Sequence, residues 1–240
     1  MYSFDSRIRY SEADANGKVT FPAILDYFQD CSFFQSEDLQ LGMEFLNKKQ
    51  VAWVLVSWQI EVLRYPQIGE QVKTATWPYD FKSFYGSRNF LMTGENGEIL
   101  AQAASLWVLL DRAAGRPCRI LPEMAGAYTL EPPLPMECGS RKLKLPERME
   151  ERSPFYVQKF HLDTNHHVNN GKYILMAQEY VPEGFEVGRM RAEYKKSAVY
   201  GDQIFPYVDL QEKKAVVLLA DEERKPYVIV ELEEKHAEIR

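Results

Sequence analysis

Cysteine is scarce in this 240-residue chain: Cys31, Cys118 and Cys138 are the only three, an odd number without metal-ligand spacing. That argues against a disulfide framework or a Cys-rich zinc site and fits a reducing, cytoplasmic compartment. No leader is expected either. Met1-Tyr2-Ser3-Phe4-Asp5 shows no basic segment followed by an apolar run. No stretch reaches roughly 18 uninterrupted apolar residues, so neither export nor a membrane span is expected. Nor is there a long block of like charge; the net charge of -6 reflects a moderate excess of Asp and Glu over Lys and Arg. General affinity for nucleic acid is therefore not expected, although local basic patches are compatible with this balance. What is present is 45% hydrophobic and 13% aromatic residues, enough to bury one sizeable core or two small ones.

Two short stretches read alike, Asp14-Ala-Asn16-Gly-Lys18-Val19 and Asp163-Thr-Asn165-His-His167-Val168, sharing the pattern Asp-x-Asn-x-basic-Val. Alternating stretches, Phe4 to Tyr10 and Phe155 to Phe160, precede them, and helical patterns starting at Pro22 and Lys172 follow. Downstream, Ile60-Glu61-Val62 through Gly69-Glu70-Gln71-Val72 parallels Ala192-Glu193-Tyr194 through Gly201-Asp202-Gln203-Ile204, with Gly69 and Gly201 each marking a turn. Asp14 to Glu61 is 47 positions and Asp163 to Glu193 is 30, so the first copy carries 17 more residues, placed around Asp38 to Val51. Several matches in one order point to a duplication.

Strands are predicted over Val51–Leu63, Glu70–Trp77, Gly86–Thr93 and Ile99–Leu110 in the first copy, with Glu95-Asn96-Gly97 as a hairpin turn. In the second they are predicted over Arg189–Lys196, Gln203–Leu210, Lys214–Ala220 and Tyr227–Glu233. Each half is thus one helix against an antiparallel sheet, an α+β arrangement. The expected division is residues 1–130, a Pro-rich and basic linker over 131–150, and residues 151–240.

Three segments carry a family resemblance: Trp53-Val-Leu with Arg64-Tyr65-Pro66 and Gly69-Glu70; Ala101 to Asp111 followed by Arg116-Pro-Cys-Arg-Ile120; and Asp163-Thr-Asn165-His-His167-Val168-Asn169-Asn170-Gly-Lys172-Tyr173. The chain resembles the acyl-acyl carrier protein thioesterases. The resemblance implies a tandem double hotdog, each half a sheet packed on a central helix, with the acyl-chain pocket in the first half and catalysis in the second. It also implies hydrolysis of a fatty acyl thioester on acyl carrier protein, with no cofactor beyond the phosphopantetheine that the substrate carries. The third segment looks like the family's catalytic motif, which assigns Asp163, Asn165 and His167.

Those residue types suit the chemistry. Asp163 can act as general base toward water, or as a nucleophile through an anhydride; Asn165 can hold water or the oxyanion; His167 can polarise, shuttle a proton or orient its neighbours. The alternative is that Asp163 and Asn165 form only a turn and helix cap, as Asp14 and Asn16 are expected to do. Backbone N–H groups near Val168 to Gly171 are expected to face the substrate oxygen. Lys18 stands where His167 does, so one active site is expected, in the second copy. Many plant members of the family follow the matching Glu, Tyr and basic pair with Glu and then Cys, where this chain has Ser197 and Ala198. The fourth carboxylate that the resemblance implies is therefore absent from its place: either Asp163, Asn165 and His167 suffice, or Ser197 positions the water, or Glu193 compensates, and Glu193 also reads as an exposed strand charge. Asn169 and Asn170 either orient the catalytic loop or cap the helix. His166 is read as facing away, His161 and His236 lack partners at metal-ligand spacing, and Cys31 reads as a packed small hydrophobe.

Leu39, Leu41, Met43, Phe45 and Leu46 in the extra residues of the first copy are candidates to shape the acyl slot, against a plainer reading as core. Carrier proteins are acidic, which makes Arg141, Lys142, Lys144, Lys172, Lys195 and Lys196 the candidates for docking. A homodimer is left open. The rival readings are an acyl-coenzyme A thioesterase, a hotdog dehydratase of hydroxyacyl thioesters, and a noncatalytic acyl-binding module.

Overall fold

The structure is a computed structural model and describes residues 1–235, so His236 lies outside the described residues. The chain divides into two compact units, Met1–Val56 with Ile60–Cys138, and Ser57–Gln59 with Gly139–Arg240. In the region read as a linker, the Leu134 amide donates to Asn89 Oδ1 (2.9 Å) within the first unit. Beyond the division, the Leu143 amide donates to Glu193 Oε2 (2.9 Å) within the second.

The first unit runs β1 (Tyr2–Arg7), α1 (Phe21–Asp38), α2 (Met43–Lys49), β2 (Val51–Val62), β3 (Gln71–Lys82), β4 (Tyr85–Gly94), β5 (Ile99–Asp111), β6 (Arg116–Pro117) and α3 (Pro122–Ala127). Its sheet has the order β1-β3-β4-β5-β2, with β6 on β5. Thr20 caps α1 by accepting the Ala23 amide, and Pro22 occupies the first turn, where its missing N–H costs nothing. Phe21, Ile24, Leu25, Phe28, Cys31 and Gln35 recur at helical spacing and are buried. The helix packs on β3. Phe28 and Phe90 are wholly buried with ring centroids 5.4 Å apart, a contact in which each side chain contributes about 1.5–3 kcal/mol of burial. Cys31 sits in this core, donates to the Thr74 carbonyl (3.5 Å), and burial pushes its thiol up to about 12, an inert thiol as expected. The 17 extra residues contain α2, and Leu39, Leu41, Phe45 and Leu46 pack with Val51, Leu109, Met124 and Tyr128 in one cluster.

The second unit runs β7 (Glu150–Glu151), β8 (Phe155–Tyr156), α4 (Asn170–Gln178), β9 (Val187–Tyr194), β10 (Gln203–Gln211), β11 (Lys214–Ala220) and β12 (Pro226–Glu234). Its sheet order is β9-β12-β11-β10-β7, with β8 on β10. α4 buries Tyr173, Ile174, Met176 and Ala177 and packs on β11 and β12. Ala215 to Ala220 are all buried, which is why that strand is a continuous apolar run rather than an alternating one.

Several expected strands end early, the stretch Phe4–Tyr10 among them, which is strand only to Arg7 with a 3₁₀ turn at Tyr10–Glu12. The stretch Phe155–Phe160 gives only Phe155–Tyr156 as strand, because a 3₁₀ turn follows at Lys159–His161. β9 stops at Tyr194, since the Lys195 and Lys196 amides both turn to the Tyr227 carbonyl. No described helix is long and apolar enough to cross a membrane.

Candidate active site

Asp163 closes a tight turn. Its Oδ1 accepts the amides of Asn165 (2.7 Å) and His167 (3.2 Å). Its own amide donates to the His167 carbonyl (2.8 Å), and the His166 amide donates to the Asp163 carbonyl (3.1 Å). The first unit repeats this bond for bond. Asp14 Oδ1 accepts Asn16 (2.9 Å) and Lys18 (3.0 Å); the Asp14 amide reaches the Lys18 carbonyl (2.8 Å) and the Gly17 amide the Asp14 carbonyl (3.1 Å). Such a self-bonded Asp turn is a local property of the side chain. It also requires a left-handed fourth residue, Gly17 at φ +74° and His166 at φ +61°.

The duplicated turn therefore explains why Asp163 and Asn165 are at these positions; the second copy differs from the first in Thr164 for Ala15 and in its two imidazoles, His166 for Gly17 and His167 for Lys18. His166 in the left-handed region costs about 1–2 kcal/mol that glycine would not.

The turn is anchored from below. The Val168 amide donates to the Ala198 carbonyl (2.9 Å), and the Ala198 amide donates to the Tyr173 hydroxyl (2.7 Å). Ala198 is wholly buried. The Tyr194 hydroxyl donates to the Asn170 carbonyl (3.1 Å), and the Tyr173 ring meets those of Tyr194 and Tyr227. Burial raises both tyrosine pKa values well above the ordinary range, so both remain neutral. These two tyrosines were not singled out from sequence as supports, because their partners, the Ala198 amide and the Asn170 carbonyl, lie 25 and 24 positions away along the chain. Tyr173→Phe removes the acceptor for a buried amide and is expected to lower unfolding free energy by about 1–3 kcal/mol. Denaturant titration of the purified variant measures it, and an unchanged midpoint would contradict this role.

Several sequence expectations are corrected here. The backbone donors expected at Val168 to Gly171 are mostly used internally: Val168 on Ala198, Asn169 on the His161 carbonyl (2.9 Å), and Gly171 on Asn169 Oδ1 (2.8 Å). In that stretch the Asn170 amide alone makes no hydrogen bond among the described residues. Asn169 is the cap of α4. His166 does not face away: with Lys159, Leu162, Asp163, Val199 and Tyr200 it lines an open depression of about 620 Å³. The left-handed turn directs it there. His167, by contrast, is exposed and is not part of that lining.

Glu193 is not an exposed strand charge but is 5% exposed. Its Oε2 accepts the Leu143 amide (2.9 Å) and its Oε1 pairs with Lys195 Nζ (2.5 Å). Arg191 holds the same crossing segment through the Ser140 carbonyl. The buried carboxylate thus serves the 140–143 segment passing over β9, and neither of these partners belongs to the Asp163 turn. Ser197 is exposed and makes no hydrogen bond to Asp163 or His167 among the described residues. Of the basic candidates, Lys196 pairs with Asp221 and lies 4.5 Å over the Tyr227 ring, and Arg141, Lys142, Lys144, Lys195 and Lys196 are all exposed. Among the described residues no cluster of three or more His, Cys, Asp or Glu side chains is placed to hold a metal ion.

Comparison with known proteins agrees with this two-unit organisation. Residues 1–128 match the acyl-ACP thioesterase N-terminal domain and residues 145–231 the acyl-ACP thioesterase C-terminal domain. A palmitoyl-acyl carrier protein thioesterase of Cuphea hookeriana is 32% identical over 207 residues, covering 79% of this chain and 50% of that protein. The chain spans about half the length of the curated relatives it matches. Among solved structures, an acyl-ACP thioesterase from Bacteroides thetaiotaomicron aligns with a TM-score of 0.88 at 20% identity, over 97% of each chain. The 12:0-ACP thioesterase from Umbellularia californica aligns with a TM-score of 0.87 at 20% identity, over 98% of this chain and 96% of the other. The fold is the α+β double hotdog of those structures, and with both domain models matched in order the chain belongs to the acyl-ACP thioesterase family.

Proposed function

We propose that this chain hydrolyses the thioester of fatty acyl groups carried on acyl carrier protein, at the Asp163–His167 turn of its second unit. One observation carries the reading: the same hydrogen-bonded Asp-x-Asn turn occurs in both units, and only the second has imidazoles on it, His166 and His167 in place of Gly17 and Lys18. Water adds to the thioester carbonyl, the carbon–sulfur bond breaks, and the products are a free fatty acid and the carrier thiol. Asp163 Oδ1 is fixed by two amides, which leaves Oδ2 to take the proton from water, with Asn165 and His167 on the same turn to hold water and to move the proton to the leaving sulfur. No cofactor is needed beyond the substrate's own phosphopantetheine.

The acyl chain is assigned to the first unit. There Leu39, Leu41, Phe45 and Leu46 belong to a packed cluster, so their role is to form the wall of that unit rather than an open slot. Carrier docking is assigned to Arg141, Lys142 and Lys144, three exposed basic residues within four positions of one another, with Lys195 and Lys196 as further candidates. Lys172 stays a secondary candidate on α4.

Thiol release from a panel of acyl carriers of differing chain length tests the activity, and absence of release from every member by folded protein would refute it. Charge reversal at Arg141, Lys142 and Lys144 should raise KM for the acyl carrier about tenfold or more at low salt, and leave an acyl-pantetheine nearly unaffected. Equal turnover on carrier and coenzyme A substrates would instead favour the coenzyme A reading.

A further inference from the structure

Immediately before each Asp turn lies a 3₁₀ turn, Tyr10–Glu12 in the first unit and Lys159–His161 in the second. Its third residue does two things. Its side chain folds back on the turn's opening amide: Arg9 N–H donates to Glu12 Oε2 (2.8 Å), and Gln158 N–H donates to His161 Nδ1 (3.0 Å). Its carbonyl accepts the amide of the following helix cap, Thr20 on Glu12 (2.8 Å) and Asn169 on His161 (2.9 Å). Residue 161 therefore ties the start of the hydrolytic loop to its end, with Asp163 to His167 enclosed by the Leu162–Val168 bridge.

The two copies use different acceptors. Glu12 also receives the Tyr27 hydroxyl (2.7 Å), whereas the His161 ring is met edge-on by Phe160 at 4.2 Å. A backbone amide can only donate, so Nδ1 must offer a lone pair, and the imidazole holds this bond only while neutral. We propose that His161 is a positioning residue for the hydrolytic loop, closing it as the neutral imidazole and releasing it on protonation.

Among the described residues Lys172 on α4 acts on it through space, and Lys159 on its own turn and Asp163 in the next are the ionisable groups beside it in sequence. Lys159 Nζ lies 5.8 Å from the Tyr200 ring centroid, and Asp163 Oδ1 is committed to two amides. Burial first and the Lys172 ammonium second hold the imidazole below its ordinary value of 6.5. A His depressed by folding favours the neutral loop. Its contribution is complete above 6.5 and is lost as pH falls through the lowered native value.

His161→Gln supplies an acceptor that does not titrate, and His161→Leu supplies none. With the activity proposed above, His161→Gln should stay within about threefold of wild-type kcat/KM near neutrality and carry activity to lower pH than wild type. His161→Leu should lose about three- to tenfold across the whole range, the scale of a lost cap. Independently of any substrate, the Gln158 amide proton of the wild-type protein should lose protection and shift between about pH 7 and about pH 4, and should not do so in His161→Gln. This rests on the proposed activity only for its kinetic arm: a chain that hydrolyses nothing fails that reading, while the Gln158 amide still decides this one. An acid limb unmoved in an active His161→Gln, or a wild-type Gln158 amide indifferent to pH, overturns it.

Discussion

Asp163→Asn is expected to leave the protein folded and to lower kcat/KM for acyl carrier hydrolysis by about 10²- to 10⁴-fold, the usual contribution of a general base. The fold should tolerate it because the duty of Oδ1 is to accept the Asn165 and His167 amides, and an asparagine carbonyl oxygen forms the same turn. What the substitution removes is the ability to take a proton. Asp14 makes the same two hydrogen bonds in the first unit, so Asp14→Asn is the matched control and should change kcat/KM by less than about twofold. Steady-state kinetics with thermal melts on both variants separates the cases. Equal small effects at both positions would reduce Asp163 to a turn residue, and equal large effects would place chemistry in both units.

The contrast between the two turns was largely legible in the sequence because it is local. An Asp that bonds amides two and four residues on, a cap before a helix, and Gly69 and Gly201 at φ +82° and +87° depend on a few neighbouring residues. His166 could have been read the same way, since Gly17 at the matched place signals a left-handed residue. Hidden were contacts made by distant chain. Glu193 looks like any strand carboxylate until the Leu143 amide arrives over it. The amides of Val168 and Asn169 look available until Ala198 and His161 are folded against them. Arg88 shares the inward parity of Phe90 and Met92 on β4, yet its burial is intelligible only once Gln35 and Thr76 accept from it and the Tyr128 ring lies 5.4 Å away. Burial alone pulls its pKa down.

The second large effect is expected at His167, and the buried state of Glu193 makes the comparison sharp. His167→Ala should cost about a hundredfold or more in kcat/KM, because the imidazole is the one titratable group that the second turn adds at the place of Lys18. Glu193→Gln and Ser197→Ala should each cost less than about tenfold, equivalent to about 1.4 kcal/mol. In Glu193→Gln the amide oxygen still accepts the Leu143 amide, and the lost partner, Lys195, is 41% exposed and solvates readily. Its stability loss should accordingly stay within about 1 kcal/mol. If Glu193 instead oriented His167 or the attacking water, its loss would approach that of His167→Ala, and the double variant would be scarcely worse than either single, since both changes disable one unit. A Glu193→Gln variant that melts like wild type yet loses as much turnover as His167→Ala would show that the carboxylate missing at Ser197 has been replaced from β9, despite the partners its oxygens hold in the resting fold.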